Sequence, residues 1–584
     1  MKPAILAGAL LLPCALLAQS PIPSPAPAYT TAVADPTPDF TSAIRTPPTP
    51  EAPRINGPRI YGERPGRPFL YHLPVTGKRP VTITAQGLPG GLILDAATGN
   101  ITGCVTQGGE HAVTFTARNA AGMATATIRF VIGPVICLTP PMGWNSWNCF
   151  HGNIDDAKIR GAADAMSASG LIDHGWTYIN MDDRWEGARD AAGNIQPSPR
   201  IPDIKALADY IHGKGLKVGL YSSPGPRTCG GAIGSWEHED QDAATYGGWG
   251  MDYLKYDRCT YTNVEDIVRE ELYAKLLPPD KAKELETLSR EAAALAPTNP
   301  NHSRAYLPRT ATQLRNEGAS SRATLDAVHA RMEALHQLAR SLAPAQVEQI
   351  DLDVEKEPYQ TMRASLDKVN RDIVYSLCQY GRANVWEWGA AIGGNLCRIT
   401  GDISADWKSI EHIGFNPVGL ERWAGPGHWN DYDMLEIGNG RLTPDENYTH
   451  MTLWCMLSAP LLIGCDMTKM TPFVRSLFTN DEVLAVNQDT LGKQGWRAKR
   501  QGAAEVWMKP LADGSTAVAF FNRGDSPAAV SVQWTDLKLA GPLSLRDLWR
   551  QKDLGSQAAG YSVQVAPHGA ELFRVSKETQ TSGR

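Results

Sequence analysis

The chain has 584 residues, 62 Asp and Glu against 56 Lys and Arg, and a formal net charge of −6. At roughly 100–200 residues per domain this length predicts three or four folding units with a sizeable buried core. The mildly acidic balance, with no basic stripe, excludes nucleic acid as an expected partner. No Cys-x-x-Cys pair or His/Cys cluster has zinc-ligand spacing, so no metal is expected.

Residues 1–19 read as an export signal: Lys2, an apolar run, then small residues around Ala18. That run is shorter than the ~20 residues of a membrane span, so a secreted or periplasmic protein with no membrane span is expected. Residues 20–53 are rich in Pro, Thr and Ala and read as an extended tether. From 54 to 135, short alternating stretches such as Val81-Thr82-Ile83-Thr84 lie between Gly, Pro and Asn turns, predicting a small β-sandwich. Its Gly87-Leu88-Pro89-Gly90-Gly91 turn followed by Asp95-Ala96-Ala97-Thr98-Gly99 resembles the Ig-like modules found beside carbohydrate enzymes.

From 138 to 490, strand-like runs alternate with helical patterns, as when crossover helices join parallel strands. Eight such runs, ending near residues 147, 183, 223, 259, 379, 402, 435 and 466, predict an α/β fold closed as a (β/α)8 TIM barrel. The stretch 262–370 interrupts it with Ala, Leu, Glu, Lys and Arg and with apolar residues at helical spacing (Leu325, Val328, Leu335, Leu338), predicting an inserted helical hairpin. An insertion there emerges at the face that carries barrel active sites. Alternation returns from 491 to 576, predicting a C-terminal antiparallel β-sandwich.

The chemistry concentrates in Tyr253-Leu254-Lys255-Tyr256-Asp257-Arg258-Cys259. Side chains alternate along a strand, so Tyr253, Lys255 and Asp257 share one face. Lys255 beside Asp257 is expected to favour the carboxylate, the state a glycosyl nucleophile needs. A purely structural Lys–Asp pair at a strand end is the competing reading of this strand. The same parity groups Arg398 with Asp402, Asn180 with Asp182, and Asp431 with Asp433. So many carboxylates at one rim repel one another unless a ligand or cations compensate, which favours a binding role. Repulsion from Asp257 is also expected to raise the proton affinity of Asp402, as a general acid requires. The 16 Trp supply flat faces of the kind that stack on sugars.

MGWNSWNCF, YINMDDRW, GLKVGLYS, YLKYDRC, RITGDISADW, GPGHWNDYDML and LSAPLLIGCDM occur in the order found in the α-galactosidase family, glycoside hydrolase family 27, which the chain resembles over about 138–495 apart from the insertion. The resemblance implies Asp257 as nucleophile and Asp402 as acid/base of a retaining hydrolase, with the two carboxyls about 5–5.5 Å apart. It implies that Trp147, Asp182, Asp183, Tyr221, Cys229, Lys255, Gln379, Arg398 and Asp433 surround the sugar, that Cys229 and Cys259 form a disulfide, and that no cofactor is needed. The chain departs from the family at Cys378-Gln379-Tyr380-Gly381, where Cys-Glu-Trp is usual, and at Tyr432, where Pro is common. Gln379 in place of a Glu that accepts from the sugar 2-hydroxyl leaves the sugar less defined. Trp386 and Glu387 are further candidates for the sugar site. The expected substrate is terminal α-linked galactose. β-L-arabinopyranoside and α-N-acetylgalactosaminide are alternatives within the family, and an inactive carbohydrate-binding protein is the alternative of another class. Oligomeric state is not legible.

Overall fold

The structure, a computed structural model, describes residues 40–295 and 319–577. The export signal 1–19, residues 20–39 of the linker and residues 296–318 of the insertion lie outside the described residues.

Between Arg54 and Ile132 the alternating segments build a four-stranded and a three-stranded sheet, beside a short pair of Arg54–Ile55 with Val75–Thr76. Ile60–Glu63, Gly122–Ile132, Gly109–Asn119 and Thr82–Gln86 are hydrogen-bonded in that order, and Pro68–His72, Asn100–Cys104 and Leu92–Leu94 form the second sheet. Tyr71, Ile83, Ile101, Phe115 and Phe130 point into a shared core. Thr114 pairs with Thr127 and Thr116 with Thr125 on the exposed face, as period-two alternation requires.

The next eight strands are Met142–Asn145 (β1), Tyr178–Asn180 (β2), Lys217–Ser222 (β3), Tyr253–Asp257 (β4), Val374–Cys378 (β5), Leu396–Arg398 (β6), Trp429–Asp431 (β7) and Leu461–Ile463 (β8). They form one parallel sheet in the order β7-β6-β5-β4-β3-β2-β1-β8. Leu435, just past β7, closes it onto β8: its N–H donates to Leu462 O at 2.8 Å, and its carbonyl accepts from Gly464 N at 2.9 Å. Outward residues of the strands, among them Trp144, Ile179, Leu254, Tyr256 and Leu377, join the core beneath the helices. Inward positions fill the barrel so tightly that a Cβ on Gly219 would lie 2.2 Å from Asn180 Oδ1.

Among the described residues, four helices lie between β4 and β5: Tyr261–Ala274 (α1), Pro279–Leu295 (α2), Ala319–Leu342 (α3) and Pro344–Asp367 (α4). This differs from the expected hairpin. Tyr359, Met362 and Leu366 of α4 sit in the barrel core, so α4 is the crossover helix of the barrel itself. Leu285, Leu288, Val328, Met332 and Leu335 form a separate small core that joins α2 to α3. Apolar residues at helical spacing predict a helix without saying which core they enter.

The N-terminal sandwich packs on the floor of the barrel. Arg64 N donates to Asp372 Oδ2 at 2.7 Å and Arg64 pairs with Asp372, just before β5, while Lys217 at the start of β3 donates to Tyr61 OH at 2.7 Å. Burial pushes the Glu63 carboxyl in this contact up to about 8. Residues 40–46 are docked rather than tethering: Phe40 meets Phe473 edge-on at 5.5 Å, and Arg45 lies 4.1 Å over the Tyr448 ring while pairing with Asp445 at 2.9 Å. One aromatic and one guanidinium anchor this segment, and its Pro-rich composition conceals them.

At the C-terminus, six antiparallel strands face the pair Ala528–Gln533 and Gly560–Val565. Lys509 ties this sandwich to the barrel, donating to Ser458 Oγ at 2.7 Å, to Cys455 O at 3.3 Å and to Val486 O. Burial pulls its ammonium down to about 8.

Candidate active site

The C-terminal ends of the strands surround a cavity of about 300 Å³, at the small end of ligand-site volumes and suited to a single sugar ring. It is lined by Trp147, Asp182, Asp183, Tyr221, Cys229, Lys255, Asp257, Arg398, Asp402 and Asp433. Strand β4 delivers Lys255 and Asp257 from one face, in register with Tyr221 of β3 and Cys378 of β5. Asp257 is buried and accepts from Tyr380 OH at 2.6 Å. Lys255 Nζ lies 3.9 Å from Asp257 and 3.0 Å from Asp182, bridging the two. Asn145 holds the same Asp182 oxygen at 2.9 Å.

The Asp257 carboxyl is raised above the ordinary aspartate range because burial outweighs the attraction of Lys255 and the Tyr380 hydrogen bond. Lys255 alone had suggested the opposite tendency. Its charge opposes the desolvation of a fully enclosed carboxylate without cancelling it. Burial likewise pushes Asp183 up to about 6 and Glu436 up to about 7.

Asp402 differs in setting, its side chain being 75% exposed at the mouth. Arg398 reaches Asp402 Oδ1 at 2.5 Å and Asp433 Oδ2 at 2.8 Å, fastening the acidic loop to the end of β7. Asp433 adopts a φ of 73° and accepts from Ile403 N at 2.8 Å, so this carboxylate supports the chain on the C-terminal side of Asp402. A non-glycine residue held in the left-handed region costs about 1–3 kcal/mol and points to a positional demand. Tyr380, with a φ of 55°, is a second such residue on the same wall. One carboxyl is thus enclosed and held by a lysine and a tyrosine, and the other is open to solvent and held by an arginine.

Cys229 and Cys259 form a disulfide, and Cys259 Sγ lies 2.8 Å from Tyr221 OH. With Asp257 these sulfurs make one close grouping, their atoms within 4.8 Å of one another. The sulfurs are bonded to each other, so this grouping supplies no thiolate for a metal.

Gln379 does not reach the cavity. It is fully buried, and its Nε2 donates to Glu355 O at 3.2 Å on α4. β5 ends at Cys378; Gln379 then turns toward α4, and the left-handed turn at Tyr380 brings the tyrosine to the cavity. Asn148, His151, Glu436 and Asn439 also line the cavity and were not anticipated. Asn439, three residues on, donates to Glu436, and so does Asn148 from a segment far away in the chain, a contact that no local motif reveals. Tyr432, the residue between Asp431 and Asp433, is buried with its hydroxyl accepting from Gln494 at 2.9 Å, which braces β7 against the C-terminal linker.

A larger cavity, about 1030 Å³, lies among α1, α3, α4 and the loop after β5, and takes in Glu387. Its inner wall is an ion-pair network in which Arg258 and Arg382 pair with Glu355, and Arg269 pairs with Asp351 at 3.0 Å. Volume alone favours that cavity, but neither Asp257 nor Asp402 lines it. Glu387 belongs there rather than to the sugar-sized site. Trp386 packs against the barrel core.

The family model for "Alpha galactosidase A" matches residues 139–277 and 346–489, and that for the "Alpha galactosidase C-terminal beta sandwich domain" matches 501–575. Alpha-galactosidase 2 of Arabidopsis thaliana is 34% identical over 455 residues, covering 77% of this chain and 92% of that protein. The chain belongs to the alpha-galactosidase family, glycoside hydrolase family 27. The gap in the family match, residues 278–345, takes in α2 and α3 and leaves α4 almost whole within the alpha-galactosidase barrel. Alpha-galactosidase A of Cellvibrio japonicus is 34% identical over 462 residues, 75% of this chain and 92% of that protein. A solved structure from Bacteroides fragilis is 32% identical with a TM-score of 0.72 and covers 90% of this chain and 98% of its own. An Ig domain model matches residues 52–133. No helix among the described residues is long and apolar enough to cross a membrane.

Removing the Tyr380 hydroxyl tests the wall of the site. Tyr380→Phe is expected to lower kcat/KM by about 10-fold or more, since a hydrogen bond to a charged group contributes about 1.5–3 kcal/mol. That bond favours the carboxylate form of Asp257, so its loss moves the acidic limb of the kcat/KM profile to higher pH. An unchanged limb would show that Tyr380 does not act on Asp257.

Proposed function

We propose that this chain is an exported, retaining exo-glycosidase that releases terminal α-linked galactose from oligo- or polysaccharides. The observation that carries the reading is the pairing, in one sugar-sized cavity, of an enclosed Asp257 with a solvent-exposed Asp402. Asp257 attacks the anomeric carbon while Asp402 protonates the departing oxygen. Asp402 then takes a proton from the water that releases the galactosyl-enzyme, so the anomeric configuration is retained. Lys255 holds Asp182 and Asp257 in a fixed relation, and Arg398 does the same for Asp402 and Asp433. Asp182 and Asp183, enclosed at the far end, accept from sugar hydroxyls, and their depth admits a terminal residue only. The run of Lys2, apolar residues and small residues around Ala18 supports export, and the N-terminal sandwich covers the barrel floor, away from substrate.

A panel of p-nitrophenyl glycosides tests the assignment. The α-galactoside is expected to be the best substrate, with α-galactose the first anomer seen by proton NMR. Preference for a β-L-arabinopyranoside or an α-N-acetylgalactosaminide would correct the sugar, and β-galactose as first product would overturn double displacement. No turnover of any glycoside would favour a binding protein.

A further inference from the structure

We propose that the C-terminal β-sandwich positions the acid/base, acting through His568 stacked on Trp407. The inference rests on the reading of Asp402 as acid/base. Asp402 stands on a short loop after β6 that is held at two ends. At one end Ile403 N donates to Asp433. At the other the loop runs into the helical turn Trp407–Ile410, whose N-cap is Asp406, accepting from Ser409 N at 3.0 Å. The Trp407 ring lies parallel to His568 of the C-terminal sandwich, with centroids 4.3 Å apart and an interplanar angle of 11°.

His568 is itself fixed from both sides. Its Nδ1 lies 2.8 Å from Glu446 of the barrel and its Nε2 3.0 Å from Asp525 of the sandwich, while its carbonyl accepts from Thr449 Oγ1 at 2.6 Å. Both ring nitrogens are engaged, which restrains the imidazole plane, and a flat ring held that way steadies the indole stacked on it. A second clamp follows on the same stretch. Arg523 of the sandwich pairs with Glu411 at 2.9 Å and lies 5.0 Å over the Phe415 ring. Phe415 in turn meets Phe521 edge-on at 5.1 Å. Glu411–Phe415 is a π-helical turn, in which Gly414 lies so close to Leu453 that a Cβ would come within 2.5 Å of it. π-turns recur at functional sites, where they redirect a short segment. Arg398 is the side chain that pairs with the exposed acid among the described residues, so the acid's place at the mouth depends on how firmly this loop is held.

A positioning role predicts a loss that depends on the leaving group. Fluoride departs with little protonation, whereas methoxide needs a well-placed acid. His568→Ala is expected to lower kcat/KM for methyl α-galactoside by about 10-fold or more, since a 1 Å misplacement can cost ~10²-fold, and to leave α-galactosyl fluoride within about twofold. His568→Phe, which restores a flat face to Trp407, is expected to recover most of the loss. Asp402→Ala is the control and must show the same split, only larger. No split in Asp402→Ala would refute the acid/base reading itself. A split in Asp402→Ala together with equal losses on both substrates in His568→Ala, or no loss at all, would overturn the positioning role. If His568→Ala fails to fold, Trp407→Leu alters the barrel side of the stack and is read by the same two outcomes.

Discussion

Asp257→Asn is expected to lower kcat/KM by on the order of 10⁴-fold or more while raising the thermal midpoint. The activity loss follows from replacing the group that bonds to the anomeric carbon with an amide that cannot. The gain in stability follows from burial. Asp257 is enclosed, and its folded-state pKa lies above the ordinary aspartate value because desolvation is the largest influence on it. For a carboxyl raised on folding, the stabilising contribution is fully present below the unfolded pKa and is lost as pH rises through the folded one. Ionising Asp257 in the folded chain therefore costs stability, and asparagine removes that charge while still accepting from Tyr380. A variant that is inactive and less stable at pH 7 would contradict this account. The same shift sets the acidic limb of the native kcat/KM profile. Activity requires Asp257 ionised, so it falls away at a pH above that of an ordinary aspartate.

Asp402→Ala is expected to behave differently. Its side chain is exposed, its removal leaves no buried cavity, and the buried Arg398 keeps Asp433 as a partner, so stability should change by about 1 kcal/mol at most. Turnover of methyl α-galactoside should fall by about 10²–10⁴-fold, the usual contribution of acid–base catalysis. On α-galactosyl fluoride the first step survives and the second, which needs a base to activate water, becomes limiting. Added azide attacks without a base, so it should restore turnover and yield α-galactosyl azide. Absence of azide rescue would remove Asp402 from the acid/base role.

Much of this arrangement is legible in the chain because a strand alternates its side chains. Period two put Lys255 and Asp257 on one face of β4, and both line the cavity. Past the end of β5 the rule lapses, because the chain turns left-handed at Tyr380, so the place of Tyr380 in the wall and of Gln379 outside it is not legible from parity. What alternation cannot supply is contact between distant segments. Glu436 is reached by Asn148, and Trp407 by His568, across separations of 288 and 161 residues that carry no local signal. The insertion shows the same limit from the side of packing. Its helices follow from apolar spacing, yet Tyr359, Met362 and Leu366 of α4 serve the barrel while Val328 and Leu335 of α3 serve a core of their own. Composition was least informative at residues 40–46, where Phe40 and Arg45 dock a segment that otherwise resembles a tether.

The most direct test of the nucleophile is to trap the intermediate it forms. Asp402→Ala, mixed with α-galactosyl fluoride, quenched in acid and digested with protease, is expected to show a hexose ester on the peptide that contains Asp257, identified by tandem mass spectrometry. A hexose on any other carboxylate, or turnover of the fluoride with no esterified peptide and β-galactose as the first product, would contradict the account.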